Sequence, residues 1–491
     1  MSVMGFIEAL GQQGCVVNGL AIDSRRVMPG DVFLAYPGAH SDGRAFIGDA
    51  VARGAVAVIA EKSITGAPMT SVPVLEVTGL AQLAGHIAHL VMGQPSSQLW
   101  LAGVTGTNGK TSVSHWLAQA LNFLGRRCAV IGTLGNGFPE ALIDSPNTTP
   151  DAVTLHRDLA RFLAEGAAAC AMEVSSIGLD QGRVNGAEFD VAIFTNLTRD
   201  HLEYHGDMAA YAAAKQRLFA LPGLRGAVLN LDDDFGRQLA AQWDSHLNFI
   251  GYTLDNAPDI ERHGAQRLRA EDLEMTATGV AFTVRGVRFT APVVGRFNVA
   301  NLLAVIGALL LHGESLADCV PALAAVTAPP GRMQSLGGVA QPLLVIDYAH
   351  TPDALEKVLT CLRETATARG GKLVCVFGCG GDRDVGKRPQ MGAIAERLAD
   401  RVMLTSDNPR GENPQTIIAA IAAGMTCTPA IEVDRARAIT DVVRAADSRD
   451  VVLIAGKGHE SYQEIAGVRV AFSDLDCGKS TLKLRCAGAA A

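Results

Sequence analysis

Gly103-Val104-Thr105-Gly106-Thr107-Asn108-Gly109-Lys110-Thr111 is the stretch on which the fold turns. The run before it, Leu99 to Val104, is short and apolar, as a buried strand is. The run after it, Ser112 to Leu124, is patterned as a helix. A strand that turns through glycines into a helix gathers backbone N–H groups and a helix N-terminus at one point, where they hold phosphate. Lys110 then neutralises β and γ phosphates, and the Thr111 hydroxyl ligates Mg²⁺. The strict phosphate-loop spacing asks for glycine where Val104 stands. A ligand-free turn is the alternative, and Gly-Lys-Thr opening a helix after a buried strand argues against it.

Outward from this loop the alternation continues. Cys128 to Ile131, Ala168 to Val174 and Asp190 to Asn196 are strand-like, with helical patterns between them, which predicts a parallel sheet. Upstream, Val32 to Tyr36, Ala55 to Ala60 and Val74 to Val77 are short β-rich runs among helix-like segments. Gly93-Gln94-Pro95-Ser96-Ser97 and Thr327-Ala328-Pro329-Pro330-Gly331 read as breaks. After the second break come Leu343 to Asp347, Lys372 to Phe377, Arg401 to Thr405 and Val451 to Ile454. The expected architecture is α/β in three domains. A smaller N-terminal α/β domain covers 1–95, a central phosphate-loop domain with a parallel sheet covers 96–329, and a C-terminal Rossmann-like doubly wound domain covers 330–491.

A chain of 491 residues, 48% hydrophobic and 19% charged, has material for several cores. Its 42 Lys and Arg against 50 Asp and Glu give a formal charge of −8, and no basic run stands out. Nucleic acid is therefore not an expected partner. Ten scattered cysteines without a CxxC pair predict reduced packing residues and a cytoplasmic compartment. Met1 to Gly14 lacks the basic and apolar segments of a signal peptide. Leu302 to Leu311 is the longest apolar stretch, well below the roughly 18 residues of a bilayer span, so no membrane insertion is expected.

Glu173 closes the apolar run Ala167 to Met172. At the C-terminal end of a parallel strand it points into the usual ligand crevice; a local cap or pair is the competing reading. Asp200 and His201 follow another strand-like run. Mg²⁺ prefers oxygen, and a hydrogen-bonded loop histidine is the plainer reading of His201. Lys215, in the helical stretch Met208 to Phe219, reads by itself as a surface lysine.

Six motifs in order carry a resemblance that spans most of the chain. They are Gly106-Thr107-Asn108-Gly109-Lys110-Thr111, Met172-Glu173-Val174-Ser175-Ser176 and Thr195-Asn196-Leu197-Thr198-Arg199-Asp200-His201-Leu202, then Gly295-Arg296-Phe297-Asn298-Val299-Ala300-Asn301, Pro330-Gly331-Arg332-Met333 and Asp347-Tyr348-Ala349-His350-Thr351-Pro352. With these the chain resembles the Mur ligases of peptidoglycan synthesis. Gly378-Cys379-Gly380-Gly381-Asp382-Arg383-Asp384, Asp407-Asn408-Pro409-Arg410 and Gly456-Lys457-Gly458-His459-Glu460 are similar to the branch that adds diaminopimelate.

The resemblance implies an ATP-dependent ligase that adds meso-diaminopimelate to UDP-N-acetylmuramoyl-L-alanyl-D-glutamate, with Mg²⁺ as cofactor and a monomeric chain. It implies that Ser24 and the turn Ala39, His40 and Ser41 hold the uridine nucleotide. Asn147, Thr148, Thr149, Ser175, Gln181 and Arg183 would line the muramoyl-peptide path. Gly106 to Ser112 would bind ATP with Asn301, Arg332 and Asp347, and Asn298 would lie on the adenine side. Thr111 and Glu173 would hold one Mg²⁺ and His201 a second, and Lys215 would be an N6-carboxylysine. Lys110, Lys215, His201 and Glu173 form the implied catalytic group. Asp407, Asn408, Pro409, Arg410, Gly456 and Glu460 would take diaminopimelate, with Arg383 on its other carboxylate. Ile177 stands where relatives often carry histidine. Nearby alternatives are a lysine-adding Mur ligase or a folylpolyglutamate synthase; a phosphate-loop switch that forms no amide is the alternative from another class.

Overall fold

The computed structural model describes residues 3–38, 41–62, 70–243, 247–255, 265–276 and 279–489. The chain forms two compact units. One comprises Met1–Tyr252, Ala257–Arg267 and Ala304–Ser315; the other comprises Thr253–Asn256, Leu268–Leu303 and Leu316–Ala491.

The first unit holds two sheets. In the N-terminal sheet Gly19–Ala21, Asp31–Ala35, Ala57–Glu61 and Val74–Val77 run parallel in sequence order. Side chains alternate across a strand, so Leu20, Val32, Leu34 and Ile59 fill one face while Phe33, Ala35, Val58 and Ala60 fill the other. Apolar packing on both faces explains why these strands read as continuous apolar runs. Val153, from the helix Ala152–Ala164, joins the first of these cores.

The larger sheet has nine strands, with Trp100–Thr105 in its interior. Val191–Phe194 pairs with it on one side and Ala169–Glu173 on the other, all parallel. Neighbours of one strand that lie on opposite sides leave a crevice beyond its C-terminal end. The phosphate loop leaves Trp100–Thr105 at that point. Gly109 takes the left-handed conformation (φ 87°), which turns the chain so that the helix Lys110–Phe123 begins two residues earlier than its pattern predicts. At the sheet's far edge Gly135–Phe138 and Ala141–Ile143 add antiparallel strands that the sequence reading did not anticipate.

The second unit carries a six-stranded sheet in the order Gln334–Gly337, Leu343–Asp347, Val451–Ala455, Leu373–Phe377, Arg401–Leu404, Ala430–Ile431. All but the first strand are parallel. Leu343, Val345, Cys375, Phe377 and Leu453 pack one face, and Leu344, Ile346, Val376, Val452 and Ile454 the other, so the sheet is doubly wound as expected. Each such side chain contributes about 1.5–3 kcal/mol on burial. Two antiparallel additions went unanticipated: Glu271–Met275, Val280–Val284 and Val287–Ala291, and the hairpin Tyr462–Ile465 with Val468–Ala471. Among the described residues no helix is long and apolar enough to cross a membrane, and the described cysteines are free thiols.

Candidate active site

The phosphate loop is braced by the segment after Val191–Phe194. The Thr107 N–H donates to the Asn196 carbonyl (2.8 Å) and the Asn108 N–H to Asn196 Oδ1 (3.0 Å). Thr195 Oγ1 donates to the Asn108 carbonyl at 2.6 Å. Gly106 (φ 150°) lies so close to Thr195 that a Cβ there would collide with its hydroxyl. Lys110 folds back over the loop, and its Nζ donates to the carbonyls of Gly106 and Thr107, both at 2.9 Å.

Glu173 is fully buried at its strand end and gathers the neighbouring hydroxyls. Thr111 Oγ1 donates to its Oε2 (3.1 Å), the Thr133 N–H to Oε1 (2.9 Å) and Thr133 Oγ1 to Oε2 (3.1 Å). Thr133 is a site residue that the sequence reading missed; it also meets Thr148 at 3.0 Å. Gly132 was missed as well. A Cβ there would run into the Glu173 carboxylate. Gly132→Ala is expected to displace that carboxylate by about an ångström and lower kcat roughly tenfold to a hundredfold. Steady-state kinetics on the folded variant check this, and an unchanged kcat would refute the crowding.

Lys215 is not a surface lysine: it is 1% exposed on the helix Met208–Gln216. Its Nζ donates to the Gly106 carbonyl at 2.9 Å and lies 4.4 Å from the centre of the Tyr211 ring. Burial, and then the Lys110 cation, push its pKa down to about 6. His201 sits at a left-handed corner (φ 52°) with its ring half-exposed between Asp200 (3.5 Å) and Glu203 (3.7 Å). Its ring is 6.1 Å from that of Tyr211, whose hydroxyl meets Thr107 Oγ1 at 3.1 Å.

Thr149, Ser175, Gln181 and Arg183 form one network. Thr149 Oγ1 donates to Ser175 Oγ (3.1 Å). Arg183 donates to the Thr149 carbonyl (2.8 Å) and, through two nitrogens, to Gln181 Oε1. Ser175 caps the helix Ser176–Asp180, and His205 reaches Ser176 Oγ at 3.0 Å. Asn147 is exposed beside this network in sequence. Ser24 is buried in a short turn capped by Asp23. Ser41 accepts from the Gly38 N–H through its carbonyl, and Ala39 and His40 lie outside the described residues.

In the second unit, Asn301 Nδ2 donates to Asn298 Oδ1 (3.0 Å). Asp347 ends its strand, accepts from the Met333 and Ala349 N–H groups (2.8 and 2.9 Å), and has its carboxyl pKa pushed up by burial. Arg332 packs over the Tyr348 ring at 5.5 Å, and its Nε is buried with no hydrogen-bond partner among the described residues. The ends of Leu373–Phe377, Arg401–Leu404 and Val451–Ala455 bring Asp407, Asn408, Arg410, Gly456 and Glu460 together. Asn408 Nδ2 donates to Glu460 Oε2 (2.8 Å). Burial pushes the Asp407 carboxyl up. Arg410 is half-buried at φ 49°, and its Nη1 donates to the Gly381 carbonyl at 2.9 Å. Arg383 is exposed on the neighbouring loop.

A phosphate loop facing a buried carboxylate, with a second α/β unit bearing polar strand ends, defines a nucleotide-dependent enzyme. Its kind is set by three family matches: the Mur ligase family catalytic domain over residues 16–89, the Mur ligase middle domain over 104–309, and the Mur ligase glutamate ligase domain over 331–458. A protein of Chromobacterium violaceum named UDP-N-acetylmuramoyl-L-alanyl-D-glutamate–2,6-diaminopimelate ligase is 51% identical over 96% of both chains. A protein of Pseudomonas aeruginosa with the same name is 52% identical, again over 96% of both. A solved structure with that name matches with TM-score 0.74 at 37% identity, covering 96% of this chain and 95% of the other. The chain belongs to the Mur ligase family of ATP-dependent ligases.

Proposed function

We propose that this chain adds meso-diaminopimelate to UDP-N-acetylmuramoyl-L-alanyl-D-glutamate by ATP-dependent amide ligation. The observation that carries the reading is the likeness along the whole chain to relatives of that name, 51% and 52% identical over 96% of each. In this reading residues 1–95 serve the nucleotide-linked substrate, 96–329 serve ATP and 330–491 serve the incoming amino acid.

The glutamyl carboxylate attacks the γ-phosphorus of ATP, the P–O bond to ADP breaks, and an acyl phosphate forms. The free amine of diaminopimelate then attacks the acyl carbon. A C–N bond forms, the C–O bond to phosphate breaks, the amine gives up a proton, and inorganic phosphate leaves. Two anions meet in the first step, so their repulsion must be offset. The loop N–H groups and Lys110 contribute positive potential where the phosphates lie. Mg²⁺ fits beside them: Thr111, Thr133 and Glu173 supply hard oxygen donors, and among the described residues no Lys or Arg pairs with the Glu173 carboxylate. When bound, the ion screens phosphate charge. His201 is the candidate holder of a second ion.

Lys215 serves as a carbamate. With its pKa near 6 the amine is neutral at pH 7 and nucleophilic toward CO₂. The N–C bond forms, one proton leaves to solvent, and the product is an anion that gives a further oxygen donor. Lys215→Ala is expected to lose about a hundredfold or more in kcat, with partial rescue by acetate. Lys215→Arg should do no better, since a permanent cation cannot replace an anion. The reactive neutral form is lost as pH falls through about 6, so carbamate-dependent activity should fall over that range. Full activity in Lys215→Arg refutes the role.

The overall reading is tested by ATP-dependent phosphate release. It should require both the nucleotide dipeptide and diaminopimelate. Release with ATP alone at the full rate would mark a phosphate-loop switch and overturn it.

A further inference from the structure

We propose that Lys457 is a positioning residue that sets the donor and acceptor pattern of the diaminopimelate pocket. The inference rests on the reading of the second unit as the amino-acid site.

Lys457 is 0% exposed. It sits between Gly456 (φ 114°) and Gly458 (φ 53°), two positions in the left-handed region. A Cβ on Gly456 would strike the Asp407 carboxylate, and one on Gly458 would come within 2.8 Å of Tyr348 Cβ. Neither flank leaves room for a side chain, and Lys457 is the residue of this turn that reaches inward. A buried ammonium is costly unless it is fully paired. Here Nζ donates to Asn408 Oδ1 at 2.9 Å and to Glu460 Oε2 at 2.8 Å. It also lies 5.6 Å from the centre of the Tyr462 ring.

These contacts determine the direction of two other groups. Asn408 Oδ1 accepts from both Lys457 Nζ and the Glu464 N–H (3.0 Å). With both lone pairs occupied, the amide oxygen is fixed and Nδ2 is aimed at Glu460 Oε2. That oxygen then holds two donors, Asn408 and Lys457. Glu460 Oε1 remains the carboxylate oxygen with no protein donor among the described residues, on a side chain that is 18% exposed. An amino-acid ammonium fits that acceptor. Lys457 also faces Asp407, and its charge opposes the repulsion between the Asp407 and Glu460 carboxylates. The lysine therefore acts on the substrate through Asn408 and Glu460.

The test measures KM for each of the three substrates and the unfolding midpoint in two variants. Lys457→Met keeps the volume and removes the charge. Its KM for diaminopimelate is expected to rise about tenfold or more, the effect of losing hydrogen bonds from a charged donor. Its KM values for ATP and for the nucleotide dipeptide should stay within about twofold. Lys457→Arg keeps the charge, but its diverging nitrogens cannot reproduce a single-atom donor to both partners. It should raise the same KM by several-fold with an unfolding midpoint close to wild type. A plain structural counter-ion gives the opposite pattern: Lys457→Arg behaves as wild type, or all three KM values move together. Either result overturns the inference, and if Lys457→Met does not fold, Lys457→Arg decides. Wild-type turnover that does not need diaminopimelate would instead defeat the underlying substrate reading, a failure visible before any variant is made.

Discussion

Lys110→Ala is expected to reduce ATP-dependent turnover by about a thousandfold while leaving the chain folded. The size follows from what the residue does. A preorganised positive group at the site of developing charge contributes roughly a hundredfold to a thousandfold in kcat, and in the proposed reaction this one would meet the charge of both the triphosphate and the attacking carboxylate. The fold depends on it far less. Its Nζ holds the Gly106 and Thr107 carbonyls, and each such hydrogen bond contributes about 1 kcal/mol net. The loop has independent supports in the Asn196 contacts to Thr107 and Asn108. The unfolding midpoint should therefore drop by only a few degrees. Removing the cation should also raise the amine basicity of Lys215, because Lys110 is the second cause of its depression after burial. Calorimetry alongside a phosphate-release assay gives both numbers. Near-normal turnover in a folded Lys110→Ala protein would remove the phosphate-loop reading altogether.

Strands sandwiched between two apolar layers were legible because burial on both faces leaves an unbroken apolar run. Trp100–Thr105, Ala169–Glu173, Leu343–Asp347 and Val451–Ala455 all have that character. Gly135–Phe138 and Ala141–Ile143 do not. The first contains two glycines with φ of 119° and 155°, and the second is largely exposed, so neither forms a run. The site shows the same division. The place of Glu173 at a strand end was readable from the apolar run before it. Its partners Gly132 and Thr133 were not, because a glycine and a threonine acquire meaning only when a distant carboxylate arrives over them. Lys215 follows three alanines and Lys457 stands between two glycines, and neither local pattern marks a buried lysine. Lys215 is buried against the Gly106 carbonyl and Lys457 against Asn408, partners that only the tertiary fold brings near. For Lys215 the family resemblance implied a place in the site, and the residue lies buried beside the phosphate loop.

Wild-type enzyme should prefer meso-diaminopimelate to L-lysine by about a hundredfold in kcat/KM, and Arg410→Ala should shrink that preference to a few-fold. The two amines differ by one distal carboxylate, so discrimination needs a group satisfied only when that carboxylate is present. Arg410 has the planar fork for bidentate carboxylate binding. Its backbone is clamped in place: the Arg410 N–H donates to the Glu464 carbonyl (3.0 Å), and the Ala466 N–H donates to the Arg410 carbonyl (2.8 Å). Those bonds hold a bulky residue at φ 49°, a conformation that costs on the order of 1 kcal/mol or more. The guanidinium is not left bare without substrate. Nη1 donates to the Gly381 carbonyl, and the Glu464 carboxylate lies 3.7 Å from Nε. This moderates the penalty for lysine below that of a fully buried, unpaired charge. What remains is the loss of a charge-assisted hydrogen bond, about 2–3 kcal/mol, which is the hundredfold expected here. Arg410→Ala removes the fork, so diaminopimelate should lose that advantage while lysine changes little. Parallel kinetics with both amino acids on both proteins decide the matter. If wild type uses lysine as well as diaminopimelate, or if Arg410→Ala keeps the full preference, Arg410 does not read the distal carboxylate.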